Sequence, residues 1–195
     1  GMVMSEEMIG IVVTVGSLLS YVPYFHSIQK GKTKPHAFTW FVWGVLNAAV
    51  FFVQRSEGAG PGAYVTAGIA LANLCIAFIA LRSGPRIFPL VDWLALVAAF
   101  AAMVVWGFAQ QPILAIVLLT LTDAFGFLPT WRKGWEKPHE EMAWAWLASG
   151  LSMALSLAAL SSFTFTTALY PGVVAVLDTS FAVLIIVRSR SFKPN

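Results

Sequence analysis

Charge is what this sequence has least of. Asp, Glu, Lys and Arg make up 11% of its 195 residues, whereas soluble domains carry about 25%. Too little charge is left to wet a globular surface, so a soluble helical bundle is excluded first. One cysteine, Cys75, excludes an internal disulfide and any Cys-x-x-Cys metal or redox motif. There is no Asn-x-Ser/Thr sequon. His26, His36 and His139 never fall at His-x-x-x-His spacing, and His36 and His139 read as interfacial polar residues, so no metal site is expected. A phosphate loop, a nucleophile elbow and a hydrolase triad are all missing; the expectation is a protein that is not an enzyme and holds no cofactor. The N-terminus has Glu6 and Glu7 in place of a basic leader region, so the first apolar run is expected to stay as a span.

Apolar residues dominate instead: 58% of the chain, with a mean hydropathy of +0.78. Runs at about 8–29, 36–54, 61–81, 88–109, 112–131, 141–162 and 167–187 approach the roughly 20 residues a bilayer-crossing helix needs. The short gaps hold the charge. Lys30, Lys32 and Lys34 follow run one, and Arg82 and Arg86 follow run three. Arg132, Lys133 and Lys137 follow run five; Arg188, Arg190 and Lys193 follow run seven. Only Arg55 lies on the other side. The net charge of +3 is thus a topological signal and not a nucleic-acid-binding face. It predicts an all-α cell-membrane protein with seven spans, N-terminus out and C-terminus in.

Two stretches read as copies of one another. Tyr21-Val-Pro23 leads through Lys30 to Lys34-Pro35-His36 and an apolar run with Trp40 and Trp43. Phe127-Leu-Pro129 leads through Lys133 to Lys137-Pro138-His139 and a run with Trp144 and Trp146. Three helices, a linker and three more leave both triplets in one orientation, a parallel repeat. The expected division is a first repeat over 1–82, a linker helix over 83–110, and a second repeat over 111–195. Trp93 and Trp106 stand near the two ends of the linker, where interfacial aromatics gather.

This three-one-three pattern, with a proline near the inner end of the first helix and a short basic loop, resembles the PQ-loop superfamily, which includes the SWEET sugar transporters. The glutamine that family has after each proline is here Tyr24 and Thr130. The resemblance implies alternating access by rocking triplets, with Pro23 and Pro129 as paired hinges; a proline inside a helix lacks an N–H and clashes with the preceding turn. It also implies a substrate role for Asn73, since SWEET transporters place asparagines in the third and seventh spans. Aligning the repeats on Arg82 and Arg188 sets Asn73 opposite Thr179, beside Asp178.

Depth counted from the basic gaps gathers a central ring. Trp43, Asn73, Asp123, Trp146 and Thr179 each lie nine residues from a basic residue of their gap, with Asp178 one further. Nine residues rise about 13–14 Å, close to the midplane of a core about 30 Å thick. A buried acidic residue costs about 2.5–3.5 kcal/mol on insertion scales, and no Lys or Arg lies inside an apolar run to offset Asp123 or Asp178. Trp43, Asn47, Asn73, Trp146, Asp178 and Thr179 are therefore the candidate substrate-binding residues. Asp123 and Asp178 are the candidate proton-coupling groups, with hydrogen bonding to Thr120, Thr122 or Thr179 as the plainer alternative. Asp92 reads as an interfacial residue that snorkels or pairs with Arg86, and Ser17 as the repeat equivalent of Asp123.

The leading expectation is a carrier for a small polar solute: a sugar, an amino acid or a vitamin-like molecule. The alternative is a heptahelical receptor of the same architecture. A retinal protein is excluded, because all six lysines lie outside the apolar runs and leave no midspan Schiff base. The expected partners are the small solute and the lipid bilayer, not nucleic acid. Small residues at Gly58, Gly60, Gly62, Ala67, Gly68 and Ala72 permit close helix packing within the chain or in a homo-oligomer.

Overall fold

The structure is a computed structural model that describes residues 4–32 and 34–191; Lys193, counted above with the basic ends, lies outside them. Among the described residues it is all helical: α1 (Glu6–Ser20), α2 (Val22–Gln29), α3 (Ala37–Ser56), α4 (Tyr64–Ser83), α5 (Leu90–Gly107), α6 (Pro112–Glu136), α7 (Ala143–Ala158) and α8 (Phe165–Ser191), with short 3-10 turns at Gly60–Ala63 and Pro138–Glu140. Local chemistry sets several of these ends. The Ser5 hydroxyl accepts from the Met8 N–H at 3.1 Å, and Glu6 and Glu7 occupy the positive end of α1. Pro112 opens α6 where a missing N–H costs nothing.

Among the described residues, six helices are long and apolar enough to cross a membrane: Glu6–Gln29 taken together, Ala37–Ser56, Gly60–Arg82, Leu90–Gly107, Pro112–Glu136 and Phe165–Ser191. The chain is a multi-pass helical membrane protein in its architecture. The sixth expected run, 141–162, is the exception. It yields only the 16-residue α7, about 24 Å at the helical rise, because Pro138–Glu140 form a 3-10 turn and residues 159–164 a loop. The fifth run is longer than expected, since α6 carries on through Arg132 and Lys133 to Glu136. Large apolar side chains stand exposed all along the bundle, including Leu71 at 62%, Phe78 at 66%, Phe100 at 63% and Phe125 at 66%; hydrocarbon is the solvent that such a surface suits.

The packing follows a regular plan. α4 packs on both α1 and α3, and α8 packs on both α6 and α7. Between the two sets, α1 meets α7 and α3 meets α6, while α5 lies against α3 and α6. The shared core runs through Val13, Leu46, Val50, Val65, Ile116, Leu119, Met153 and Tyr170.

Close helix crossings give the register between the sets. A Cβ on Gly44 of α3 would meet the Leu74 side chain and lie 3.3 Å from its backbone nitrogen; a Cβ on Gly150 of α7 would lie 3.1 Å from the Thr179 nitrogen. Gly44 therefore corresponds to Gly150, and Leu74 to Thr179. One residue back, Asn73 corresponds to Asp178. Alignment on the arginines, which sets Asn73 opposite Thr179, differs from this register by one residue. The small residues of the α3–α4 turn are used inside the chain: a Cβ on Gly62 would meet Leu160, and one on Gly68 would touch Thr14.

Candidate functional site

The corresponding pair Asn73 and Asp178 anchors a buried polar cluster at the centre of the bundle; the two residues are 4% and 3% exposed. The Tyr21 hydroxyl, at the break between α1 and α2, donates to Asn73 Oδ1 at 3.0 Å. The Ser149 hydroxyl of α7 donates to Asp178 Oδ2 at 2.7 Å. The Tyr170 hydroxyl of α8 donates to Asn47 Oδ1 at 3.3 Å and interacts with the carboxyl of Asp123. Asn47 in turn gives its amide N–H to the Trp43 carbonyl at 3.0 Å. Asp123 lies within electrostatic reach of Asp178, and Asp178 within that of Tyr21 and Tyr170. These contacts join α3, α4, α6, α7, α8 and the α1–α2 break around two carboxyl groups.

Each link has a local cause. Pro23, the second residue of α2, cannot supply the N–H that would continue α1, and Tyr21 falls in the break. Asp178 and Phe181, three apart on α8, share the face turned to α7, and both are buried. Among the described residues, no lysine or arginine belongs to the cluster. Low dielectric strengthens such a network when every group is partnered, and every buried side-chain nitrogen and oxygen among the described residues has a hydrogen-bond partner.

The expected ring is gathered only in part. Asn47 and Asp123 share Tyr170, and Tyr21 brings Asn73 within electrostatic reach of Asp178. Thr179 stays outside: one residue on from Asp178 it turns about 100° around the helix, stands exposed, and faces Gly150. Trp43 and Trp146 are not equivalent. Trp43 is the seventh residue of α3, but Trp146 is the fourth of α7, because the 3-10 turn after Lys137 delays the start of that helix. Trp146 sits in a ring cluster with Phe127 (5.1 Å) and Phe181 (5.0 Å), and its indole N–H donates to Glu141 at 3.3 Å. That places it nearer the basic end than the central pair. Trp43 packs edge-on against Trp40 at 5.1 Å, and Trp40 against Tyr24.

Other expectations shift too. Thr120 and Thr122 bond back to the Ile116 and Leu118 carbonyls, leaving Ser149 as the hydroxyl on Asp178. Asp92 accepts from Thr39 at 2.5 Å, in place of the expected Arg86, and ties α5 to α3. Pro23 coincides with a helix break, whereas α6 runs unbroken through Pro129. Tyr21, Ser149 and Tyr170 are absent from the residues singled out by sequence. Counted from the helix starts of the structure, Ser149 is the counterpart of Trp43, a register that the matching Lys-Pro-His motifs do not carry.

Two largely apolar surface grooves, one along Phe163–Leu177 at the start of α8 and one between α1, α3 and α4 from Leu18 to Phe51 and Tyr64, are lined by none of the cluster residues. No protein-family model, curated protein or solved structure matches the chain.

Proposed function

We propose that this chain is a membrane carrier for a small polar solute, working by alternating access between two helix sets, α1–α4 and α6–α8, joined by α5. In the first set α1 and α2 count as one broken span, so each set has three. One observation carries the reading: Asn73 and Asp178 occupy corresponding places in the two sets, both buried and both hydrogen-bonded at the bundle centre. An intramembrane carboxyl group without a basic partner marks a substrate or proton path. The exchange-related packing of the sets and the three-one-three resemblance to PQ-loop and SWEET proteins support the same reading. α7 is then the sixth of seven spans, its reach of about 24 Å completed by local thinning of the bilayer.

The test is uptake and thermal-shift screening of the purified protein, in liposomes and detergent, against sugars, amino acids and vitamins. Saturable uptake and counterflow of one class are expected. A solute that binds without crossing the membrane would move the assignment to a receptor.

In this reading the basic ends face the cytoplasm. Lys32 and Lys137 are exposed and suit reporter cysteines in a Cys75→Ser background; Gly134 does not, because it is packed against Phe181 and Ile185. Neither reporter should react with an impermeant maleimide in intact cells, and both should react after permeabilisation. Labelling from outside would invert the topology.

The prolines act unequally. Pro23→Ala should fuse α1 to α2 and slow turnover several-fold with little change in KM. Pro129→Ala lies in a continuous helix and should do less. Equal turnover in Pro23→Ala and the parent would remove the hinge at Tyr21.

A further inference from the structure

Gln54 is completely buried near the Arg55 end of α3. Its amide N–H donates to the Thr167 main-chain carbonyl of α8 at 3.0 Å. That carbonyl is free because residue 171, four positions on, is a proline inside α8 and has no N–H to give back. A carbonyl can only accept, so the amide nitrogen of Gln54 is fixed on that side; its oxygen then faces Thr66 of α4, whose hydroxyl lies 2.8 Å away.

Gln54 also shares a face with Asn47, seven residues earlier, as Thr167 does with Tyr170, three residues later. α3 and α8 are thus linked by two rungs: Gln54 to the Thr167 carbonyl, and Asn47 to the Tyr170 hydroxyl at 3.3 Å. The second rung belongs to the central cluster. The first belongs to the same end of the bundle as the contact between the Ser161 N–H and the Ala59 carbonyl (2.9 Å) and that between the Ser161 hydroxyl and Glu6 (2.9 Å). At the opposite, basic end, the ion pairs of Lys133 and Lys137 and the ring contacts of Trp40 and Trp146 stay within one set. By the register above, the positions corresponding to Gln54 and Pro171 are Leu160 and Thr66, so the device exists once.

We infer that Gln54 and the carbonyl freed by Pro171 form a latch that holds the two helix sets together at the Arg55 end and closes the path to the central cluster from that side. Tyr170 lies next to Pro171 and touches Asn47, so a change at the cluster reaches the latch through one turn of α8. Opening at this end exchanges the Gln54 bond for water. The latch needs no particular substrate, and its test reads accessibility and not transport, so its failure is distinct from failure of the carrier assignment.

The reporter is Ser17→Cys in a Cys75→Ser background. Ser17 is 5% exposed, on the buried face of α1 with Gly10 and Val13. An impermeant maleimide is applied to one face of sealed vesicles at a time. From the Arg55 face, Gln54→Leu should raise the labelling rate roughly tenfold, the effect of one net hydrogen bond whose buried carbonyl is left unpaired. Pro171→Ala restores an N–H that competes for the Thr167 carbonyl, so it should raise the rate as well. Adding Gln54→Leu to Pro171→Ala should then change little more, because the two act on one bond. If Gln54→Leu is not recovered in the membrane, Pro171→Ala alone decides by the same readout. Unchanged labelling in the recovered variants, or fully additive effects, would overturn the latch.

Discussion

The substitution Asp178→Asn should abolish gradient-driven uptake, and the way it does so should identify what the carboxyl group does. The Ser149 hydroxyl donates to Asp178 at 2.7 Å, and an asparagine carbonyl oxygen can accept the same bond. Asp178→Asn therefore keeps shape and hydrogen bonding and removes only the ability to carry charge. If Asp178 carries a coupling proton, pH-driven accumulation is lost while exchange of solute across the membrane continues at a rate near that of the parent. If it pairs with a cationic group of the solute, affinity itself falls by roughly 10- to 100-fold, the range expected on losing a charge-assisted hydrogen bond. Asp123→Asn is the companion measurement. Asp123 lies beside Tyr170 and interacts with Asp178, so the two substitutions should be non-additive. An Asp178→Asn variant that binds and transports like the parent at every pH would make Asp178 a packing residue held by Ser149.

The same cluster marks where reading the sequence succeeds and where it stops. Charge and apolar runs locate the helices because hydrocarbon admits only helices and closed barrels, and runs of this length suit the helix. They also point to the two aspartates, because an acidic residue far from any basic one is conspicuous. Depth is another matter. Counting from Lys137 assumes that the helix begins there, but Pro138–Glu140 and the extended residues up to Met142 consume length before α7 starts. The matching Lys-Pro-His motifs therefore conceal a slip of one turn, and Trp146 occupies the level of Trp40 instead of Trp43. Facing is harder still. Asp178 and Thr179 are neighbours in sequence and both lie against α7, yet one is buried in the cluster and the other exposed. Gln54 lay at the very edge of an apolar run and Pro171 inside another. That the side chain of the one answers the carbonyl freed by the other depends on α3 lying against α8, which no local pattern records.

The substitution Gly150→Ala should destabilise the protein more than Gly44→Ala, although the two glycines hold corresponding places. Both lie where the second helix of a set crosses the third, but what a new methyl group would meet differs. At Gly44 it would press on the Leu74 side chain, whose flexible end can rotate away, with the Leu74 nitrogen at 3.3 Å. At Gly150 it would meet main-chain atoms, the Thr179 nitrogen at 3.1 Å and the Ala175 carbonyl oxygen at 3.2 Å, as well as the Thr179 hydroxyl. Main chain moves only by separating α7 from α8. Overpacking of that kind costs about 1–3 kcal/mol, and each kcal/mol lowers the melting temperature of a chain this long by about 2–4 °C. Gly150→Ala should therefore melt about 5 °C below the parent in detergent, and Gly44→Ala within about 2 °C of it on the same scale. The crossing also sets the distance from Ser149 to Asp178, so Gly150→Ala should impair binding in step with stability, whereas Gly44→Ala should leave it close to that of the parent. A Gly150→Ala protein that melts and binds like the parent would mean that α7 and α8 do not approach so closely at this point. The correspondence of Asn73 with Asp178, which rests on that crossing, would then fall with it.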